Sequence, residues 1–217
     1  MKYSVKNIFG PTIEGEGAWA GKAVIFIRLA GCNMWNGKEE SKAESICPYC
    51  DTDFYGGESM TASEIVSKVR MLAGVIKNVV ISGGEPLLQI KDASDELLQE
   101  LFSNYFMVNI ETNGTMAFSY GEAKGKQLSA ALQQLHFTCS PKQFPLKLAV
   151  VDCLKLLYPH PDPNLNPLNF TEILADKYLQ PIMDADYLRN VSKTLKYIYE
   201  HPQWKLSLQI HKMIGVE

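Results

Sequence analysis

The chain has 217 residues, 46% of them apolar and 21% charged, which suits one globular unit with a substantial core and argues against disorder. Its longest apolar run is five residues, Ala23 to Ile27, far short of the roughly 20 that a membrane-spanning helix needs, and the opening MKYSVKN carries no secretory pattern. A net charge of −3 without any basic run argues against direct nucleic-acid or membrane-surface binding, and an odd count of five cysteines points to a reducing cytoplasm.

In chain order, the first strong strand pattern is Ala23–Leu29, followed by a cysteine-bearing loop over 30–57. Thr61–Ala73 reads as a helix: Thr61 and Glu64 form a capping box, and Ile65, Val66, Val69 and Leu72 share one face. A strand over Asn78–Ser82, a helix over Asp95–Phe102 and a strand over Phe106–Ile110 come next. Glu122–Leu135 is a weaker helical pattern, followed by strands at Leu135–Cys139 and Cys153–Leu157. Pro159–Asn169, with four prolines and three asparagines, reads as a surface loop rather than a linker. The chain closes with a strand at Tyr178–Ile182, a helix whose Leu188, Val191, Leu195 and Ile198 share a face, and a strand at Lys205–Ile210. Strands alternating with helices predict an α/β fold with a mainly parallel sheet. Eight full units would need about 250 residues. The expected architecture is therefore one domain over 1–217, a partial, open βα barrel of six to seven strands.

Two signals carry chemistry. Cys32, Cys47 and Cys50 are spaced C-x14-C-x2-C directly after the first strand, with Cys47 and Cys50 straddling a tight turn that lets both thiolates face one metal. No histidine precedes His136, so a fourth zinc ligand is not at hand, and three thiolates suit a four-iron cluster with one iron open. Cys139 and Cys153 lie inside apolar strands and read as buried thiols. The second signal is Val79-Val80-Ile81-Ser82-Gly83-Gly84-Glu85-Pro86, a strand ending in two glycines and an acid. Alone it is a tight turn; at the C-terminal end of a parallel strand its backbone can approach a ligand, and Glu85 could bind an ammonium group.

Trio and turn together resemble the radical S-adenosylmethionine superfamily. The resemblance sharpens over Ile8-Phe9-Gly10-Pro11-Thr12-Ile13-Glu14-Gly15-Glu16-Gly17, Arg28-Leu29-Ala30-Gly31-Cys32-Asn33-Met34-Trp35 and Cys50-Asp51-Thr52-Asp53. Ile110-Glu111-Thr112-Asn113-Gly114, Ser140-Pro141-Lys142, Leu154-Lys155, Gln180-Pro181 and the Trp204–Lys212 segment extend it. These stretches resemble the 7-carboxy-7-deazaguanine synthase family, some members of which carry a long loop between the first two cysteines. Ser82 keeps a hydroxyl where threonine is expected, and the region 143–176 otherwise matches poorly.

The resemblance implies a radical ring contraction of 6-carboxy-5,6,7,8-tetrahydropterin to 7-carboxy-7-deazaguanine, with loss of ammonia, toward queuosine-type bases. It implies a [4Fe-4S] cluster on Cys32, Cys47 and Cys50, S-adenosylmethionine, and Mg2+ at Thr52. S-adenosylmethionine would be held by Tyr49, Asp51, Gly84, Glu85, Ser140, Pro141, Lys142 and Gln180. The pterin would meet Ile13, Glu14 and Gly15, largely through their backbone, with Ser82, Gln209, His211 and the terminal Glu217. Arg28 has apolar neighbours on both sides of its strand, so a buried guanidinium needing a carboxylate partner is expected, and the pterin carboxylate would serve. Strict alternation over Lys205–His211 would aim Ser207, Gln209 and His211 into the lumen. A flavodoxin or ferredoxin reductant and a symmetric homodimer complete the expected partners. Two rivals remain: a radical activase that makes a glycyl radical on a partner protein, and a zinc-stabilised binding module.

Overall fold

A computed structural model describes residues 1–48, 50–120 and 133–217. One nine-stranded sheet runs through them in the order β3-β1-β2-β4-β5-β6-β7-β8-β9. The strands are β1 (Lys2–Ile13), β2 (Ala23–Leu29), β3 (Glu58–Thr61), β4 (Asn78–Gly83), β5 (Met107–Thr112), β6 (Leu135–Cys139), β7 (Cys153–Tyr158), β8 (Asp176–Pro181) and β9 (Trp204–Leu206). β2 and β4 to β9 are parallel, while β1 and β3 form an antiparallel extension at one side. β3 and β9 remain as edges, so the barrel is open, as the sequence pattern predicts.

The two antiparallel strands are the elements that the sequence reading leaves out. β1 mixes Lys2, Lys6 and Asn7 with Gly10 and Pro11, and two register shifts break its pairing with β2, so no clean alternation shows. β3 is four residues long. Its last residue, Thr61, caps α1 (Ala62–Ala73) with the expected box: Glu64 N–H donates to Thr61 Oγ1 at 3.3 Å, and Thr61 N–H donates to the Glu64 carboxylate at 2.7 Å. Asp95 caps α2 (Glu96–Ser103) by accepting from Leu97 N–H at 3.0 Å, and Leu97, Leu98, Leu101 and Phe102 are buried. The expected helix over Glu122–Leu135 lies, but for its final residues, outside the described residues, and Leu135 opens β6.

Strand register divides the sheet into two faces. Ile25, Ile27, Leu29, Val79, Ile81, Val108, Ile110, Leu154 and Leu156 point under α1 and α2 into the main core. The opposite, lumen face starts with a floor of Trp19, Val24 and Val80, backed by Phe26. Above it the register sets polar groups side by side near the C-terminal ends of the parallel strands, where such barrels place their sites. Arg28 sits beside Ser82 and Glu111 beside Thr138, and Gln180 lies next to the apolar Leu157.

Two expectations about the C-terminal third need correction. α3 (Tyr187–Glu200) forms, yet its fully buried residues are Asn190 and Thr194, and Leu188 is 79% exposed. Asn190 Nδ2 donates to Ile182 O and Asp184 Oδ1, both at 3.0 Å, and these bonds turn the polar edge of the helix inward. The last strand stops at Leu206 instead of running to Ile210. Ser207 N–H still donates to Leu179 O at 2.9 Å, but the β8 residue two beyond Leu179 is Pro181, which has no N–H to return to the ladder, and β9 has no strand on its other side. Ile210–Ile214 becomes a short helix, α4. The tail then runs along β1, with Ile210 N–H donating to Gly15 O at 3.1 Å and Thr12 Oγ1 donating to Glu217 O at 2.6 Å. Pro159–Asn169 is a loop as expected, though it folds back to bury Leu165, and Phe170 just beyond it is buried too.

Candidate active site

A cavity of about 340 Å³ opens at the C-terminal ends of the strands. Cys32, Cys47 and Cys50 line one side of it, whereas Cys139 and Cys153 are buried in their strands. Cys32 is fixed from behind. Gly84 N–H donates to Leu29 O at 3.2 Å, Glu85 N–H to Gly31 O at 2.9 Å, and Asn113 Nδ2 to Asn33 Oδ1 at 3.0 Å. A Cβ on Gly84 would lie 2.1 Å from Gly31 O and 2.8 Å from Cys32 Cβ, so only glycine lets the β4 turn pack against the first cysteine. Within the pair, the neighbouring Cys47 thiol lowers Cys50 to about 6, against the pull of burial. Among the described residues no three His, Cys, Asp or Glu side chains close into a single-ion cage.

Glu85 stands behind the turn. It is fully buried and off the cavity lining, and burial raises its pKa. Its carboxylate accepts from Leu87 N–H at 2.9 Å, Thr112 Oγ1 at 2.8 Å and Asn113 N–H at 2.7 Å. Both oxygens are thus engaged in holding the β4 turn to the end of β5, and Gly83 and Gly84 present the turn to the cavity.

Another part of the wall is a hub on Glu16. Its Oε2 takes the Lys155 ammonium of β7; its Oε1 accepts Gln180 Nε2 at 3.1 Å and Gln209 Nε2 at 2.7 Å. Burial alone would raise the Glu16 carboxyl, but the Lys155 charge, its hydrogen bond and that of Gln209 outweigh this and hold it at about 2. Lys155 also faces Glu111 Oε1 at 3.7 Å. Ser207 extends the hub by donating to Gln180 Oε1 at 2.9 Å and accepting from Gly17 N–H at 3.0 Å. Gln209 and Ser207 therefore face inward as the alternation implies, even though the strand has ended.

Among the sequence-selected residues, Asp51, Thr52, Ser82 and Gly84 line the cavity with the cysteines, and so do Ser140, Lys142, Gln180 and Gln209. Tyr49 lies outside the described residues. Ile13, Glu14, Gly15, Arg28, Pro141, His211 and Glu217 do not line it. The Arg28 guanidinium stacks over Phe9 at 5.1 Å, and its Nε is buried without a partner, beside cavity-lining Ser82 in register. His211 packs against Gly15, and Glu217 rests on Thr12 and Asn7 of β1. Glu16, Glu111, Lys155 and Lys212 are lining residues to which the sequence reading gave no role; the Glu14–Glu16 stretch also reads as a solvated turn. For Lys155 the signal was present: a lysine between Leu154 and Leu156 in a central strand has to find a buried partner. Lys212, by contrast, reaches Asp51 Oδ2 at 2.5 Å only because α4 folds over the cysteine loop.

Residues 44–136 match the radical SAM superfamily. The fold resembles the crystal structure of QueE from Escherichia coli, with a TM-score of 0.69 over 96% of this chain and 94% of that one at 21% identity. Open barrel, cysteine-lined cavity and superfamily match define a radical S-adenosylmethionine enzyme, whose cofactors are a [4Fe-4S] cluster and S-adenosylmethionine. The chain is 36% identical to the 7-carboxy-7-deazaguanine synthases of Bradyrhizobium diazoefficiens and Bordetella pertussis, each over the whole of both chains. It is 34% identical to that of Methanospirillum hungatei over 94% of this chain and 82% of the relative. The chain belongs to the 7-carboxy-7-deazaguanine synthase family.

The donor set can be checked directly. Alanine at Cys32, Cys47 or Cys50 should abolish [4Fe-4S] content after anaerobic reconstitution, while alanine at Cys139 or Cys153 should leave iron and sulfide near the parent level. Full iron content in Cys47→Ala would contradict the assignment.

Proposed function

We propose that this chain contracts 6-carboxy-5,6,7,8-tetrahydropterin to 7-carboxy-7-deazaguanine with release of ammonia, in the route to queuosine-type 7-deazapurines. The observation that carries the reading is a cavity lined both by three thiols and by the Glu16 hub, with Arg28 beside cavity-lining Ser82 in register. A zinc-stabilised binding module would want a fourth ligand beside the three thiols, and among the described residues no histidine lines the cavity. A glycyl-radical activase, which acts on a protein partner, gives no reason for the hub or for Arg28.

Cys32, Cys47 and Cys50 would hold the cluster and leave one iron open to S-adenosylmethionine. Bound there, the two cofactors supply a one-electron reduction and an organic radical able to take a hydrogen atom from carbon. The protein binds, orients and shields. Gly84, Ser140, Pro141, Lys142 and Gln180, with Asp51 and Tyr49 from the cysteine loop, would surround S-adenosylmethionine; Glu85 serves by fixing the turn. Thr52 would offer its hydroxyl to Mg2+. Arg28 and Ser82 would take the pterin carboxylate: the buried Nε lacks an acceptor, and leaving it unpaired costs about 1–3 kcal/mol. Gln209 and the Ile13–Gly15 backbone would meet the ring, with His211 and the Glu217 terminus closing the open side. Glu16, held ionised by Lys155, keeps Gln180 and Gln209 in fixed orientations, which lowers the ordering cost of binding a small polar ring.

We further propose that the enzyme draws electrons from a flavodoxin or ferredoxin and works as a symmetric homodimer, a single domain over 1–217 in each copy. Exposed Leu188 and half-buried Val191 and Leu195 leave an apolar strip on α3 that a second copy would cover.

Anaerobic incubation with the carboxy-tetrahydropterin, S-adenosylmethionine and reductant should give a product with the mass of 7-carboxy-7-deazaguanine. Recovery of unchanged pterin from cluster-loaded protein would contradict the reading. In the same assay Arg28→Lys should weaken pterin binding about tenfold or more, since lysine keeps the charge but loses the planar fork, with S-adenosylmethionine affinity unaffected. Equal losses for both ligands would make Arg28 structural.

The tail gives a separate check. An appended C-terminal tag, or deletion of Gly215–Glu217, should raise the Michaelis constant for the pterin and spare cluster content, because the terminus docks on β1 next to the hub loop. Unchanged kinetics would place the tail outside the binding site.

A further inference from the structure

Three carboxylates and one ammonium meet behind the wall of the cavity. Lys155 bonds Glu16 directly and faces Glu111 at 3.7 Å; among the described residues no hydrogen bond or ion pair joins it to Glu14. Glu14 is nevertheless the most deeply buried of the three acids, at 3% exposure. Its Oε1 accepts the Glu16 N–H at 2.9 Å, and its Oε2 is buried with no partner. The charged groups that face it are Glu16 from its own loop, Glu111 from β5 and Lys155 from β7. His211 of α4 lies against the neighbouring Gly15, and Lys22, at the far end of the loop, keeps its ammonium 4.2 Å over the Trp19 ring. With Lys155, the cation that faces it, already shared by two other acids, an ionised Glu14 would be an uncompensated buried anion. The neutral acid meets no such penalty, and its carbonyl oxygen still accepts the Glu16 N–H.

We infer that Glu14 is a positioning residue that works as a neutral carboxylic acid, fixing the Glu16 backbone so that the Glu16 carboxylate meets Lys155, Gln180 and Gln209 together. The direction of its proton affinity agrees. Burial, then the Glu111 carboxylate, raise Glu14 to about 8 against the opposing pull of Lys155. Glu14 lies off the cavity lining, so the role requires no contact with substrate. The inference deepens the proposed function, in which the hub is the wall that orients the pterin.

The sign of the pH dependence follows from linkage. The native state holds a proton that the unfolded chain loses near 4.5, so the stability tied to neutral Glu14 is complete below that pH and lost as pH rises through about 8. Glu16, with its depressed value, acts in the opposite sense and only below about 4.5. The experiment is a thermal-midpoint series on anaerobically reconstituted protein from about pH 5 to 9, comparing the parent with Glu14→Gln. Glutamine keeps an acceptor for the Glu16 N–H and cannot ionise, so its midpoint should climb relative to the parent between about pH 5 and 8. Parallel curves would overturn the inference.

Pterin affinity supplies the second readout. In the parent it should fall by up to about tenfold per pH unit above about 8, while Glu14→Gln should not show this fall. Glu14→Leu should bind the pterin weakly at every pH, because it leaves Glu16 without its brace. An identical alkaline fall in parent and Glu14→Gln, or parent-like affinity in a folded Glu14→Leu, would overturn it. Absence of pterin binding in every protein would instead overturn the proposed function, and the midpoint series would still decide the role of Glu14.

Discussion

The ion pair between Glu16 and Lys155 is the constraint on which the rest of the lumen depends. It joins residues 139 positions apart, with the two side chains only 15% and 8% exposed. Taking two charges out of water is costly, and such pairs are tolerated only when further hydrogen bonds satisfy their remaining atoms. Gln180 and Gln209 do so here for Glu16, and Glu111 offers Lys155 a second acid. The β1–β2 loop, β5, β7, β8 and the tail are drawn to one point although no strand ladder joins β9 to β1. A barrel that strand pairing leaves open is closed by side chains, and those side chains form the wall of the cavity.

That arrangement explains why the chemistry sits where it does. Each parallel strand gives apolar residues to the helices on one face and, near its C-terminal end, a polar residue to the lumen on the other. The floor of Trp19, Val24 and Val80 closes the lumen below the polar layer. Cys32 is placed by the same sheet, since the β4 turn and Asn113 hold the chain on either side of it, whereas Cys47 and Cys50 come from an irregular loop.

Much of this was legible in the chain. The central strands are β-branched runs whose limits the structure moves by only a residue or two, and the capping box at Thr61 appears as written. Cysteine spacing and the Ser82–Pro86 turn announced the class of chemistry. What stayed hidden was tertiary. β1 is irregular and β3 is short; neither carries a periodic signal. Of the apolar face Leu188, Val191, Leu195 and Ile198 on the helix from Tyr187, Ile198 packs against the core while Leu188 is exposed, and two hydrogen bonds from Asn190 hold the helix in that seat. β9 ends early because of a proline in its neighbour, a fact of register rather than of its own residues. The three donors on Glu85 come from its own turn and from the end of β5, which no local pattern foretells. Glu16 and Lys155 pair across most of the chain, and no local pattern relates them.

The most direct measurement is pterin affinity in Lys155→Met, determined anaerobically on cluster-loaded protein alongside S-adenosylmethionine affinity. Methionine fills the same space and removes the cation that holds Glu16 ionised and in place. The account predicts a pterin affinity lower by about tenfold or more, with cluster content retained and a smaller loss for S-adenosylmethionine, which meets the hub only through Gln180. Parent-like pterin affinity in that protein would contradict it.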